Sequence, residues 1–159
     1  MTKNSVCVVG SGYWGRNHVR TLDELGCLAG VVDENPAILK EISNSYPHIK
    51  SYSNLNQALE DSSILGFVVA TPATTHYDIT CRIIKSGKHV LVEKPFCLDI
   101  KDAESLIDLS NKYDTNLMVG HVLLFHPAIQ AIKKLIDNKK IGKLQYIYCN
   151  RLNLGQIRT

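Results

Sequence analysis

The chain has 159 residues, of which 45% are hydrophobic and 21% are charged, and its formal net charge is +3. These values are typical of one globular domain with a short additional segment, and they exclude an intrinsically disordered chain. Because the basic residues are dispersed and no apolar run approaches the roughly 20 residues of a membrane span, we expect neither nucleic acid nor a membrane as a partner.

Strand-like and helical patterns alternate over residues 1–121. The segments predicted as strands are 5–10, 28–33, 49–52, 64–70, 89–93 and 116–120, and the segments predicted as helices are 13–25, 36–46, 54–60, 74–86 and 101–113. Regular alternation with short connections is typical of βαβ units. The sequence therefore predicts an α/β fold, with the six-stranded, doubly wound parallel sheet of a Rossmann domain over residues 1–121.

Residues 122–159 have a different character. Residues 127–137 predict an amphipathic helix, and residues 144–152 alternate as a half-buried strand does. Because one helix and one strand cannot enclose a core, we interpret this segment as the start of an incomplete α/β domain for substrate binding or oligomerisation. The unpaired edge of its strand predicts a homo-oligomer that forms through this strand.

A glycine-rich loop follows the first predicted strand, with the sequence GSGYWG from Gly10 to Gly15. Gly10 permits a tight turn, Gly12 lets the backbone approach a pyrophosphate, and Gly15 lets the next helix pack closely. The free N–H groups at the start of that helix, around Tyr13 and Trp14, are suited to binding phosphates. The pattern predicts a dinucleotide site.

Asp33 ends the second predicted strand, 18 residues after Gly15. A carboxylate at this position accepts hydrogen bonds from ribose hydroxyls and repels the additional phosphate of NADP, so the sequence predicts NAD as the cofactor, with NADP disfavoured. The competing interpretation is a glycine-rich turn and a capping aspartate without a ligand. The joint presence of strand, glycines, helix and acid favours the cofactor site.

The loop after the fourth predicted strand, ATPATTH, ends at His76. Ligands bind at the carboxyl ends of the strands in open α/β sheets, so we predict that Thr71 and Pro72 contact the cofactor. His76 is a further candidate for such a contact. The alternatives are a strand-to-helix turn with ordinary capping and a solvated His76.

The sequence Glu93-Lys94-Pro95 follows the fifth predicted strand at the same edge of the sheet. We predict that Glu93 and Pro95 contact the cofactor and that Lys94 is catalytic, because an ammonium group there could polarise a hydroxyl undergoing oxidation. The alternative is a surface lysine in a proline turn. The five cysteines are far apart and form no CxxC pair, which predicts no metal site.

Together, GSGYWG, the VVD that ends at Asp33, ATPATTH and EKP resemble the glucose–fructose oxidoreductase/inositol dehydrogenase family, known as Gfo/Idh/MocA. The resemblance implies a Rossmann domain, a second α/β domain, and oxidation of a secondary hydroxyl of a sugar or cyclitol with transfer of hydride to NAD or NADP. It also implies that Lys94 acts in catalysis. The residues that it places around the cofactor are Gly10, Gly12, Gly15, Asp33, Thr71, Pro72, His76 and Glu93.

The last part of the chain resembles a narrower branch of that family. The segments GHVLLFHPAI and YIYCNRLNLGQIR are similar to dehydrogenases of nucleotide-linked amino sugars, such as UDP-N-acetylglucosamine 3-dehydrogenase. The resemblance implies a sugar or UDP-sugar as the substrate, with His121 and Arg151 as candidate substrate contacts. The alternatives are a strand-end histidine without a substrate role and an arginine paired with a surface acid.

One feature departs from the family pattern. Members are much longer and carry D-x-x-x-H in a helix of the second domain, where the histidine commonly serves as acid or base, whereas this chain ends at Thr159. We therefore expect an NAD-dependent dehydrogenase acting on CH–OH groups or, alternatively, a truncated NAD-binding module or fragment that lacks this histidine. The five cysteines without a CxxC pair, and an N-terminus unlike a signal peptide, predict a cytoplasmic protein.

Overall fold

The computed structural model describes residues 4–150 and residue 152. The chain divides into two compact units, with the boundary between Gly120 and His121. The assignment of a cofactor-binding domain to residues 1–121 and of a substrate or oligomerisation segment to residues 122–159 stays a prediction. Within the described residues, no helix is both long and apolar enough to cross a membrane.

The first unit contains a six-stranded sheet in which every neighbouring pair of strands is parallel. Its strand order is β3-β2-β1-β4-β5-β6, which confirms the predicted doubly wound fold. The strands are β1 (Val6–Val9), β2 (Leu28–Val32), β3 (Lys50–Tyr52), β4 (Gly66–Val69), β5 (His89–Val92) and β6 (Leu117–Val119). The order reverses between β1 and β4, and in open α/β sheets this reversal opens a crevice at the carboxyl ends of the strands.

Helices connect these strands. They are α1 (Tyr13–Glu24), α2 (Pro36–Ser45), α3 (Leu55–Glu60), α4 (His76–Lys85) and α5 (Ile100–Lys112). Asn35, Asn54 and Asp99 cap α2, α3 and α5, because the side chain of each accepts a backbone N–H of the first turn. The helix predicted over 74–86 begins at His76, since a short 3₁₀ turn precedes it, in which the N–H of Thr75 bonds to the carbonyl of Pro72.

The core lies on both faces of the sheet. Cys7 and Val9 of β1 belong to one buried cluster, and Val8 between them belongs to the other. Helices α4 and α5 contribute buried residues to the first cluster, and α1 and α2 contribute to the second. Burial on both faces explains why the strands are continuously apolar instead of alternating.

A hydrogen-bond cluster centred on Asp61 holds the loop before β4. One carboxylate oxygen accepts from Lys50 Nζ at 2.6 Å and from the Tyr52 hydroxyl at 2.7 Å, and the other accepts from the Ser63 hydroxyl and N–H. The bond from Lys50, followed by the bonds from Ser63 and Tyr52, lowers the pKa of the Asp61 carboxyl far below its usual value. Burial, followed by the bond to Asp61, raises the pKa of Tyr52.

The second unit contains a 3₁₀ turn (Val122–Phe125) and the helix α6 (Pro127–Asp137), whose bounds match the predicted ones. Residues 144–150 form no strand, so the strand predicted over 144–152 is not present in the described part of that segment. Tyr146, Ile147 and Tyr148 are 84%, 72% and 82% exposed. A strand requires a hydrogen-bonded neighbour, and the alternating pattern of these residues does not supply one.

Candidate functional site

Loops that follow four strands converge at the carboxyl edge of the first unit's sheet. The glycine-rich loop follows β1, Asp33 follows β2, Thr71 and Pro72 follow β4, and Glu93-Lys94-Pro95 follows β5. β1 is hydrogen-bonded to both β2 and β4, and β4 is hydrogen-bonded to β5. The predicted site residues from 10 to 95 are therefore grouped at one edge of the sheet.

The three glycines of the first loop have different surroundings. Gly10 has a φ of +85°, and a Cβ there would lie 2.8 Å from Thr71 Cγ2. A Cβ at Gly15 would lie 1.8 Å from the carbonyl oxygen of Gly10, so α1 packs directly on the loop. A Cβ at Gly12 would have no heavy atom within 4 Å. Gly10 and Gly15 are thus required by the fold itself, whereas Gly12 leaves space open in front of the helix.

Asp33 joins the second strand to this loop. One carboxylate oxygen accepts the N–H of Ser11 at 2.8 Å, and the other accepts the N–H of Asn35 at 2.9 Å. A carboxylate oxygen can accept more than one hydrogen bond, so both oxygens retain capacity for the hydroxyls of a ribose. The carboxylate both fixes the loop and remains available to a ligand.

A cavity of about 510 Å³ lies beside these groups, within the range of small-molecule sites. Its lining includes apolar side chains for a base and carboxylates for hydroxyl groups. The lining residues are Val9, Gly10, Gly12, Val32, Asp33, Glu34, Ile38, Asn54, Leu55, Ala70, Thr71, Pro72, Thr75, Ile79 and Arg82. The open space at Gly12 and the placement of Asp33 fit the pyrophosphate and the ribose of a dinucleotide.

Five of the predicted cofactor residues line this cavity, namely Gly10, Gly12, Asp33, Thr71 and Pro72. The other predicted cofactor residues are outside its lining, namely Tyr13, Trp14, Gly15, His76, Glu93 and Pro95. The cavity thus contains the predicted pyrophosphate and ribose contacts, and the predicted contacts of the nicotinamide half lie outside its lining. Tyr13 and Trp14 are exposed at the start of α1, with their rings edge to face at 5.7 Å.

His76 is buried, at 1% exposure, and does not line the cavity. Its Nδ1 lies 2.8 Å from the carbonyl oxygen of Pro95, and its Nε2 lies 2.9 Å from the carbonyl oxygen of Thr71. The imidazole thus joins the loop after β4 to the loop after β5. The described contacts of His76 are thus with the two loops, and its contact with the cofactor stays a prediction.

Lys94 is exposed at the end of β5, and its Nζ lies 6.0 Å from the centroid of the Trp14 ring. This is the outer limit of a cation–π contact. The carboxylate of the adjacent Glu93 accepts the backbone N–H of Lys94 at 3.1 Å. Its other oxygen, Oε1, lies 2.8 Å from His18 Nε2. The loop after β5 is thereby linked to α1, and the ammonium group of Lys94 lies beside the glycine-rich loop.

The two predicted substrate residues lie outside this group. His121 is exposed and precedes the 3₁₀ turn of the second unit, where its carbonyl accepts the N–H of Leu124. Arg151 lies outside the described residues. Their proposed contact with a substrate stays a prediction.

Several residues of the site were not identified from the sequence. His18 follows Trp14 by one helical turn, and this i, i+4 spacing is the signal that could have placed it beside the site. Thr75, at the N-cap position of α4, lines the cavity together with Ile79 and Arg82 of that helix. Their spacing of four and three residues gives the same kind of signal. Asn54 and Leu55 come from the start of α3, for which no motif gives a signal.

The sequence profile of an oxidoreductase family with an NAD-binding Rossmann fold, Gfo/Idh/MocA, matches residues 4–121. The chain is 30% identical over 145 residues to the UDP-N-acetylglucosamine 3-dehydrogenase of Acidithiobacillus ferrooxidans, and the match covers 91% of this chain and 44% of that protein. It is 26% identical to the rhizopine catabolism protein MocA of Rhizobium meliloti, and this match covers 94% of this chain and 47% of that protein. The chain therefore spans less than half the length of these relatives.

Solved structures show the same fold. GenD2 from gentamicin A biosynthesis, crystallised with NAD, superimposes with a TM-score of 0.81 at 28% identity and covers 88% of this chain and 40% of its own. The UDP-N-acetylglucosamine 3-dehydrogenase GnnA from A. ferrooxidans gives a TM-score of 0.77 at 30% identity, with coverage of 84% and 43%. The glycine-rich loop, the carboxylate of Asp33 at the end of β2 and the profile match lead to one conclusion: the chain belongs to the Gfo/Idh/MocA family of oxidoreductases with an NAD-binding Rossmann fold.

Proposed function

We propose that this chain provides the NAD-binding part of a dehydrogenase that transfers hydride from a secondary hydroxyl of a sugar or nucleotide-linked sugar to the nicotinamide. The observation that carries the proposal is the position of Lys94, an exposed lysine at the carboxyl end of β5 whose Nζ lies 6.0 Å from the ring of Trp14 in the glycine-rich loop. An ammonium group at this place adjoins the part of the sheet edge where the nicotinamide of a dinucleotide would lie.

The cofactor would lie along the edge of the sheet. The N–H groups at the start of α1, including those of Tyr13 and Trp14, would hold the pyrophosphate over Gly12, and Asp33 would accept the ribose hydroxyls. Thr71 and Pro72 would contact the dinucleotide from the cavity, and Glu93 and Pro95 would flank its nicotinamide half. NAD is expected to bind more tightly than NADP, because Asp33 and Glu34 both line the cavity and would repel a 2′-phosphate.

Lys94 is the proposed catalytic residue. Its ammonium group would donate a hydrogen bond to the substrate hydroxyl and stabilise the negative charge that develops on that oxygen. NAD, when bound, supplies the hydride acceptor. The residue that removes the hydroxyl proton is not assigned to this chain.

The substrate proposal is supported by the similarity to UDP-N-acetylglucosamine 3-dehydrogenase. We propose a sugar or UDP-sugar as the substrate, with His121 and Arg151 on the substrate side. An NAD-binding module without turnover of its own is the second candidate.

We also propose that the chain self-associates. In the second unit, Val122, Leu124 and Phe125 are 66%, 64% and 61% exposed, and apolar surface of this kind tends to be covered by another protein surface. The predicted route through a strand over 144–152 is not supported, because residues 144–150 form none. The cytoplasmic location stays a prediction from the cysteine content.

The proposal is tested by calorimetry and by turnover. We expect the chain to bind NAD, and to reduce it in the presence of a UDP-sugar if the whole activity is present. Lys94→Ala should abolish turnover and keep cofactor binding, whereas Lys101→Ala, which removes an exposed lysine at the start of α5, should change neither. Binding without turnover would favour the module, and absence of binding to either NAD or NADH would refute the cofactor site.

A further inference from the structure

The side chain of Lys94 is exposed, and its ammonium group has one described contact, with the ring of Trp14. An exposed lysine side chain has many rotamers, and a catalytic ammonium group acts efficiently only when its position is fixed. The surroundings of its two neighbours in the chain, Glu93 and Pro95, fix the backbone from which this side chain extends.

Glu93 is held by a residue of α1. His18 Nε2 lies 2.8 Å from Glu93 Oε1, and the side chains are only 25% and 13% exposed. His18 follows Trp14 by four residues, so both side chains lie on the same face of α1. One face of this helix thus contacts two consecutive residues of the loop, with His18 against Glu93 and Trp14 against Lys94.

The carboxylate of Glu93 is restrained on two further sides. Its Oε2 accepts the backbone N–H of Lys94 at 3.1 Å. Behind it lies Gly120, where an added Cβ would approach the carboxyl carbon to 3.3 Å, so the carboxylate packs directly on the backbone after β6. The carboxylate is therefore confined by packing and is tied to the backbone of Lys94 by a hydrogen bond.

From this arrangement we infer that His18 is a positioning residue for Lys94. It fixes the Glu93 carboxylate, the carboxylate fixes the backbone of Lys94, and the ammonium group is thereby held beside the Trp14 ring at the nicotinamide end of the cofactor site. The inference rests on the proposed function, because it presupposes that Lys94 acts on a substrate next to NAD. His76 holds the other side of the loop through the carbonyl of Pro95.

The chain offers a matched control. His48 Nε2 lies 2.8 Å from Asp23 Oδ1, which is also on α1, but near the end of the helix remote from the glycine-rich loop. Both histidines thus contact a carboxylate at the same distance and join α1 to another segment. Only the loss of His18 should affect Lys94.

The chain's single tryptophan gives a direct readout, since Trp14 is the residue beside the Lys94 ammonium group. We expect His18→Ala to shift the Trp14 emission towards that of Lys94→Ala, whereas His18→Gln, whose amide nitrogen replaces Nε2, and His48→Ala should keep the wild-type spectrum. If His18→Ala does not unfold cooperatively on heating, and is therefore not properly folded, His18→Asn replaces it in the test. The asparagine side chain is too short to reach Glu93, so this variant also lacks the contact with the Glu93 carboxylate.

Cofactor binding gives the second readout. ADP-ribose lacks nicotinamide, and Glu93 is proposed to flank the nicotinamide of NAD. Because His18→Ala releases the Glu93 carboxylate, it should weaken NAD binding by about tenfold, the effect expected of one lost hydrogen bond to a charged group, and leave ADP-ribose binding unchanged, whereas Lys94→Ala should leave both unchanged. An unchanged Trp14 emission, or an equal loss for both ligands, would overturn the inference. If the wild-type protein binds neither ligand, the proposed function fails, and the emission of the variants still decides whether His18 positions Lys94.

Discussion

The two regions of the chain, residues 4–120 and residues 121–150, have similar apolar sequence patterns. They differ in how far their apolar side chains are buried. In the first region Phe67 is 2% exposed and belongs to a core between sheet and helices. In the second region no described residue is buried, and Phe125 is 61% exposed. The contrast teaches that a periodic pattern predicts an element but does not predict burial, because burial requires neighbouring elements that cover the apolar face.

The same contrast separates the proposed roles. The residues proposed for the cofactor, and Lys94, all belong to the region with the buried core, where packing can fix them. The candidate substrate residue His121 belongs to the other region. Measurements of stability and of cofactor affinity should therefore respond to changes in the first region and be insensitive to matched changes in the second.

The largest expected difference is in stability. Phe67→Ala removes a fully buried ring and should lower the free energy of unfolding by about 3–5 kcal/mol. Phe125→Ala removes a ring of the same size that is 61% exposed, and should change it by less than about 0.5 kcal/mol. Urea denaturation of both variants measures the two values, and similar losses would show that the second region is packed as firmly as the first.

The sequence predicted most of the first region because its signals are local. Every strand and helix between residues 4 and 120 was predicted, with shifts of one or two residues at their ends. The glycine-rich loop was interpretable for the same reason, since the close approach at Gly15 and the positive φ of Gly10 exclude other residues. Asp33 was predicted as a site residue because it lies directly after β2.

Other features could not be predicted, because they depend on packing between distant segments. The contact of His18 with Glu93 joins residues 75 apart in the chain, and only the assembled sheet brings them together. His76 has the pattern of a ligand-binding residue but is buried between two carbonyl groups. The strand predicted over 144–152 fails in its described part for the opposite reason, since the pattern is present and the pairing partner is not.

The next effect concerns cofactor affinity. Gly12→Val adds a side chain in the open space before α1, where it would contact a pyrophosphate, and should weaken NAD binding by about tenfold to a hundredfold with little change in stability. Gly66→Ala, at the opposite end of the sheet, and Ile132→Ala, in the second region, should leave the affinity unchanged. Calorimetry measures the affinity of each variant for NAD. A normal affinity for Gly12→Val would show that the pyrophosphate does not lie at Gly12.

A smaller effect is expected in the choice between cofactors. Asp33→Asn removes the negative charge that disfavours a 2′-phosphate, and its amide can no longer accept the N–H groups of both Ser11 and Asn35. The ratio of NAD to NADP affinity should fall by about tenfold. Glu34→Gln, which alters a more exposed carboxylate of the same cavity, should change the ratio less. A ratio unaffected by both substitutions would contradict the ribose assignment.

The smallest effect concerns stability in acid and compares one carboxylate from each region. The lowered pKa of Asp61 means that its charged form stabilises the folded chain above the ordinary pKa of about 3.9, and that this contribution is lost as the pH falls below that value. Asp61→Asn should therefore reduce stability near neutral pH and flatten the decline below about pH 4.

Asp137, in the second region, is the matched control, because it also accepts from a lysine, Lys133, at 2.8 Å. Its side chain is 56% exposed and that of Asp61 is 15% exposed, and exposed ion pairs of one helical turn contribute little. Thermal unfolding of both asparagine variants between about pH 3 and pH 7 measures the difference. If the two substitutions had equal effects, the network around Asp61 would stabilise the first region no more than an ordinary surface pair does, and burial alone would account for the contrast between the regions.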